Sequence, residues 1–282
     1  GGMGAVYEAV RADGEFRRKV AIKVVKRGMD TDFILRRFRN ERQILATLEH
    51  PYITRLLDGG TTDDGRPYFV MDYIEALPFY RYSDKKRLTI EERLKLFIKV
   101  CEAVEYAHQN LVIHRDLKPS NILVANDKTP RLLDFGIAKL LNPEMASDTL
   151  QPTATAMRMM TIDYASPEQI NGEKVTFSTD IYSLGVILFE LLTGHRPYRF
   201  SNRTPHEMAR VICEESPMLP SEAITRSEET LPIIHVDQEA LTIRHLAELR
   251  KNSPDKLREI LRGNLDNITL KALCKLPDDR YS

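Results

Sequence analysis

Hydrophobic periodicity changes character near residue 75, and that change restricts the folds open to the chain. Before it, residues 5–9, 20–25 and 68–73 are short β-prone runs, set apart by the turn-like Ala12-Asp13-Gly14 and Asp63-Asp64-Gly65. One helical segment, 32–49, interrupts them. After it the pattern is helical. Thr89 and Glu92 form a capping box, and behind it Leu94, Phe97, Ile98, Cys101, Val104 and His108 recur at helical spacing. Residues 180–192 read as a buried helix that stops at Gly194. Ser253-Pro254 is an N-cap with proline at the first helical position, and helical periodicity runs from there with breaks to Leu276, where Pro277 ends it. Residues 216–232 read as an irregular surface loop. A β-rich start and an α-rich remainder predict an α+β chain in two lobes, 1–75 and 76–282.

Composition narrows the function classes. Of 282 residues, 42% are hydrophobic and 29% charged, which supplies a core and excludes wholesale disorder. Lys plus Arg and Asp plus Glu are both 41, so nothing in the overall field favours nucleic acid. The three cysteines lie too far apart for a C-x-x-C site and read as free thiols of a reducing compartment. The longest apolar stretch, 181–192, is interrupted and too short to cross about 30 Å of hydrocarbon. The chain lacks a signal peptide and an initial Met, which suggests a fragment.

Several residues carry chemistry. In Gly1-Gly2-Met3-Gly4-Ala5-Val6, clustered glycines before a strand let backbone N–H groups approach phosphate, although a ligand-free turn has the same composition. In Val20-Ala21-Ile22-Lys23-Val24, Lys23 shares a strand face with the small Ala21, as the floor of a ligand site requires. A solvated lysine is the alternative. Ile34, Phe38, Glu41, Leu45 and Leu48 form one helical stripe with a single acid. A buried Glu41 needs a cation, for which Lys23 is the candidate; at the stripe's edge it would face water.

Two further strings decide between these readings: His114-Arg115-Asp116-Leu117-Lys118-Pro119-Ser120-Asn121, and Asp134-Phe135-Gly136, whose Asp lies 18 residues after Asp116. With Ser166-Pro167-Glu168, Asp180-Ile181-Tyr182-Ser183-Leu184-Gly185 and Arg280, the chain resembles eukaryotic-type protein kinases, specifically the bacterial serine/threonine kinases. Nearly the whole chain is covered, in the family's order. The resemblance implies the bilobal kinase fold, with lobes at 1–75 and 76–282, and ATP- and Mg²⁺-dependent phosphoryl transfer to Ser or Thr of protein substrates.

It also implies roles. Asp116 would be the catalytic base, Lys118 would steady the γ-phosphate, and Thr161 would hydrogen-bond both. Lys23 would reach the α- and β-phosphates and be held by Glu41. Asn121 and Asp134 offer hard oxygens to Mg²⁺. Gly1, Gly2, Gly4 and Val6 would cover the nucleotide; Ala21, Met71 as gatekeeper, Asp72 to Ile74 as hinge, and Leu123 would enclose adenine. Glu168, Asp180 and Arg280 would be structural anchors, with Glu168 pairing Arg280. The middle of the activation segment, 142–160, carries Ser147, Thr149, Thr153 and Thr155; Arg115 and Lys139 would gather a phosphate placed there by autophosphorylation, with Thr153 or Thr155 the expected site.

Departures from the family are also visible. The glycine loop is entered at its second glycine, and the end cuts into the last helical region, so the chain reads as a catalytic domain trimmed at both ends. A cytoplasmic domain is expected; a longer parent chain with a membrane anchor stays open. Two rivals remain. A pseudokinase would lack catalytic residues, yet Lys23, Glu41, Asp116, Asn121 and Asp134 are all present. A small-molecule kinase of the aminoglycoside or choline type would usually lack Lys118 and Ser166-Pro167-Glu168.

Overall fold

A computed structural model describes residues 4–10, 18–25, 46–135, 162–225 and 242–282. Its first layer is a four-stranded antiparallel sheet of β1 (Gly4–Val10), β2 (Lys19–Val25), β3 (Leu56–Thr61) and β4 (Pro67–Asp72), in the order β1-β2-β4-β3. Residues directly opposite in such a sheet project from the same face. Val6, Lys23 and Phe69 form one cross-strand row, and Glu8, Ala21 and Met71 the next on that face. The sheet therefore presents Val6, Ala21, Lys23 and Met71 on one side. The expected helix at 32–49 falls almost entirely outside the described residues.

β3 has no obvious strand signal, because Asp58-Gly59-Gly60 looks like a turn. Its pairing with β4 and the Tyr68 ring explain it: a side chain at Gly60 would collide with that ring, which lies across the bare backbone. Gly4 is needed for a similar reason, since a Cβ there would meet the Val24 carbonyl oxygen.

A second sheet, β5 (Ala76–Pro78), β6 (Ile122–Ala125) and β7 (Pro130–Leu132), begins the helical part. The two regions are stitched by backbone bonds: Thr54 N–H to Leu132 O at 3.0 Å and Leu132 N–H to Tyr52 O at 2.8 Å. The helices are α1 (Phe79–Lys85), α2 (Ile90–Gln109), α3 (Pro167–Asn171), α4 (Phe177–Thr193), α5 (Pro205–Glu214), α6 (Pro220–Ala223), α7 (Ile243–Leu249), α8 (Pro254–Leu261) and α9 (Asn264–Ala272). This is the α+β bilobal arrangement expected from the sequence.

Local signals act where they were read. Thr89 accepts from Glu92 N–H and the Glu92 side chain accepts from Thr89 N–H, closing the capping box of α2. Ser253 caps α8 with Pro254 at its first position. α4 ends at Gly194, whose φ of 74° suits glycine. Fourteen of the 17 residues of α4 are buried, as expected of a helix apolar all round.

Two expectations need correction. Ile98, one of the residues recurring at helical spacing, does not lie on the buried face of α2: it is 53% exposed. The buried face runs instead through Leu96, Phe97, Val100, Ala103, Val104 and Ala107, and includes Arg93. Arg93 is accommodated because its guanidinium meets Asp84 at 2.6 Å and the carbonyls of Leu88 and Leu191. The stretch 216–232 is not wholly irregular, since α6 forms within it and Ser221 is held by Asp266 through N–H and hydroxyl. The three cysteines are free. No helix among the described residues is long and apolar enough to cross a membrane.

Candidate active site

The loop between α2 and β6 carries the His114–Asn121 string, and its backbone is held in a shape that costs energy. Arg115 has φ 66°, rare for a residue with a side chain. Asp180, fully buried in the first turn of α4, accepts from His114 N–H at 2.7 Å, Arg115 N–H at 2.8 Å and His108 Nε2 at 2.8 Å. A helix N-terminus favours that carboxylate. His114 is also buried. Its Nε2 lies 2.9 Å from Leu133 O and must donate to that carbonyl, which leaves Nδ1 to accept from Asp116 N–H at 3.4 Å. Its ring packs tilted against that of Phe135, with the centroids 4.6 Å apart.

Three side chains converge on this loop. Asp116 Oδ2 accepts from Lys118 Nζ at 2.7 Å and from Asn121 Nδ2 at 3.3 Å, and the same Asn121 amide donates to Asp116 O at 2.9 Å. With Nδ2 committed twice to acceptors, Asn121 Oδ1 is left as a hard acceptor on the amide's other side. Across from them Lys23 Nζ meets Asp134 Oδ2 at 2.7 Å, with both side chains mostly buried. Asp134 also has a left-handed backbone, φ 57°, and the preceding Leu133 N–H is tied to Asn121 O at 2.8 Å. Asn121 Oδ1 and the Asp134 carboxylate are hard oxygen donors that suit Mg²⁺, so the residues present fit the metal.

Around this centre Met71 lines a small cavity with Leu48, Ile53, Thr54, Leu56, Phe69, Asp134 and Phe135. Asp72 is accounted for by an ion pair with Arg18 and by its N–H, which donates to Arg55 O at 3.2 Å. Leu123 lies on β6 opposite Pro78 and Arg131, and Ile74 sits in the short connection between β4 and β5.

Farther out, Glu168 and Arg280 form a buried two-pronged pair, 2.8 Å at each contact, and Thr179 Oγ1 donates to the same carboxylate at 2.7 Å. Burial would raise the Glu168 pKa, but Arg280 prevails and holds it below the usual value. Arg280 also donates to the carbonyls of Ser178, Cys274 and Lys275.

Gly1, Gly2, Glu41, Lys139, Ser147, Thr149, Thr153, Thr155 and Thr161 lie outside the described residues. The partner shown for Lys23 is Asp134, which sequence reading did not name. It also missed Glu190, a buried acid on α4. Glu190 Oε2 accepts from Tyr80 and Tyr164 hydroxyls, each at 2.8 Å, and Arg196 Nε lies 3.6 Å from its other oxygen. Burial pushes this carboxyl up to about 7 against the pull of the two hydroxyls. A lone acid within the apolar run 181–192 was the available signal. Gln169, which joins α3 to Arg115, was missed as well.

Comparison with known proteins bears on this arrangement. A family model described as "Protein kinase domain" matches residues 1–281. The serine/threonine-protein kinase PknB of Mycobacterium tuberculosis strain H37Rv is 33% identical over 287 residues, covering 100% of this chain and 39% of that protein. PrkC of Bacillus subtilis strain 168, also a serine/threonine-protein kinase, is 40% identical over 201 residues, covering 70% of this chain and 30% of PrkC. The crystal structure of the Mycobacterium tuberculosis PknI kinase domain superposes with a TM-score of 0.62 at 26% identity, covering 99% of this chain and 86% of that one. The chain thus spans about two fifths of the length of the PknB it matches.

Proposed function

The chain belongs to the protein kinase domain family, in the company of bacterial serine/threonine kinases, and from that premise we propose that it transfers the γ-phosphate of ATP to serine and threonine hydroxyls of proteins. The observation that carries this reading is the convergence of Asp116, Lys118 and Asn121 in one hydrogen-bonded group, with Lys23 and Asp134 paired nearby. Phosphoryl transfer asks for positioning and charge neutralisation rather than covalent help.

Asp116 orients the substrate hydroxyl and takes its proton. Lys118 neutralises charge on the transferring phosphate, a role its position beside Asp116 supports. Lys23 binds the α- and β-phosphates, with Asp134 and, outside the described residues, Glu41 as its anions. Asn121 Oδ1 and Asp134 would hold Mg²⁺, which would supply charge neutralisation to the triphosphate. Val6, Ala21 and Met71, on one sheet face, support an adenine site continued by residues 72–74 and Leu123, with Gly1, Gly2 and Gly4 over the phosphates. Thr161 completes the Asp116–Lys118 group.

Regulation belongs to the same reading. Arg115 Nε is buried without a hydrogen-bond partner among the described residues, which supports a role in gathering a phosphate from Ser147, Thr149, Thr153 or Thr155, together with Lys139. Protein substrates and a cytoplasmic site of action belong to the same proposal. The test is γ-labelled ATP with a generic basic protein, followed by mass-spectrometric mapping of autophosphorylated sites. Transfer to Ser or Thr is expected, with phosphate on Thr153 or Thr155. A chain that binds Mg·ATP and transfers nothing would favour a pseudokinase.

A further inference from the structure

Gln169 lies in α3, three residues after Ser166, and its amide serves two neighbours at once. Its Oε1 accepts from Ser166 N–H at 3.2 Å, closing the capping box of α3, whose other half is Gln169 N–H to Ser166 Oγ at 3.4 Å. Its Nε2 donates to Arg115 O at 2.9 Å. The amide can point only one way, because N–H faces a carbonyl and C=O faces an N–H.

The Arg115 carbonyl belongs to the peptide that leads into Asp116. The peptide before it is already fixed, since Asp180 accepts from both His114 and Arg115 N–H groups. Arg115 sits at φ 66°, a conformation that persists only where surrounding bonds impose it. Asp180 restrains one side of that residue and Gln169 the other. Gln169 is tied in turn to the end of the segment anchored by Glu168 and Arg280.

We infer that Gln169 is a positioning residue for phosphoryl transfer: its amide N–H holds the Arg115–Asp116 peptide plane and so sets the direction of the Asp116 carboxylate. This rests on the kinase reading of Asp116. Among the described residues the Gln169 side chain bonds to Ser166 and Arg115 and to neither a nucleotide-binding residue nor the Asp116 carboxylate, so its loss should reach kcat and leave ATP binding alone.

Three substitutions together separate the bond to Arg115 from the cap. Gln169→Glu keeps an acceptor for Ser166 N–H but sets an acceptor against Arg115 O. Gln169→Met removes the donor without adding repulsion, and with it the acceptor for Ser166 N–H. Ser166→Ala weakens the cap and keeps the Gln169 donor. On the 282-residue chain, kcat, KM for ATP and melting temperature are measured for each. Misplacing a catalytic group by about 1 Å can cost about 100-fold, so a fall in kcat of about tenfold or more is expected for both Gln169 variants, with KM for ATP unchanged. Ser166→Ala should lower the melting temperature and keep kcat. Wild-type kcat in Gln169→Met overturns the inference, as does an equal loss in Ser166→Ala, which would assign the effect to the cap. Should Gln169→Glu not fold, Gln169→Met decides together with the cap control Ser166→Ala. A wild-type chain without transfer takes down the kinase reading itself, a result distinct from an active wild type with an equally active Gln169→Met.

Discussion

Lys23 Nζ lies 2.7 Å from Asp134 Oδ2, joining β2 to the segment after β7 across 111 residues of chain. Their side chains are only 12% and 22% exposed, so neither charge is well solvated and each depends on the other. The pair brings together two groups that, in the proposed reading, serve phosphate and metal. Removing either partner leaves a largely buried charge behind.

Asp134→Ala should therefore do more than slow turnover. It deletes a hard oxygen ligand and removes the anion that Lys23 meets among the described residues. Mg²⁺-dependent ATP affinity is expected to collapse, measured by calorimetric titration with and without Mg²⁺. Undiminished Mg·ATP affinity would remove Asp134 from its assigned role.

Asp116→Asn keeps the size of the side chain and an acceptor for Lys118. It loses the negative charge and the capacity to take a proton. Transfer should fall by about 10²–10⁴-fold with nucleotide binding retained. Radiolabel transfer and nucleotide titration on the same preparation check both halves, and near-wild-type turnover would sink the assignment.

Glu190 gives a pH signature. Its folded-state pKa, about 7, lies above the ordinary 4.5 because burial disfavours the charge. Facing it are the Tyr80 and Tyr164 hydroxyls and Arg196, which itself pairs with Asp163 beside Arg203. A raised carboxyl pKa means the folded state holds the proton more tightly than the unfolded one. Its stabilising contribution is full below about pH 4.5 and is lost as pH rises to about 7. Glu190→Gln should lack that decline, so the stability difference between variant and wild type should shift toward the variant across this window, on the order of 3 kcal/mol. Parallel curves in denaturant titrations from pH 4.5 to 8 would contradict it.

Leu111 offers a test independent of catalysis. It is 82% exposed and has φ 61°, so it gains little burial in a conformation that disfavours a side chain. The left-handed conformation costs about 1–2 kcal/mol, and glycine gives back about 0.5–1 kcal/mol through greater freedom when unfolded. Leu111→Gly should raise stability by up to about 1 kcal/mol, seen as a higher melting temperature. A lower one would mean the Leu111 side chain makes contacts that outweigh its strain.

The features legible in the amino-acid order are those whose physics spans a few residues. The Thr89–Glu92 box, the Ser253-Pro254 start of α8 and the Gly194 stop of α4 each satisfy orphan backbone groups within one helical turn, so the order of residues is enough to specify them. The spacing of Asp116, Lys118 and Asn121 is likewise local, and the family resemblance rests on it. Other features depend on the folded chain. Gly59-Gly60 becomes strand because β4 offers hydrogen bonds and Tyr68 covers the bare backbone. Ile98 is exposed because α2 buries a different arc, one that includes Arg93. The partners Lys23–Asp134, Gln169–Arg115 and Glu190 with Tyr80 and Tyr164 are separated by 111, 54, 110 and 26 residues. Which of many cations or hydroxyls meets a given carboxylate depends on how the lobes and helices pack, and that choice is made only when burial makes an unpaired polar group costly.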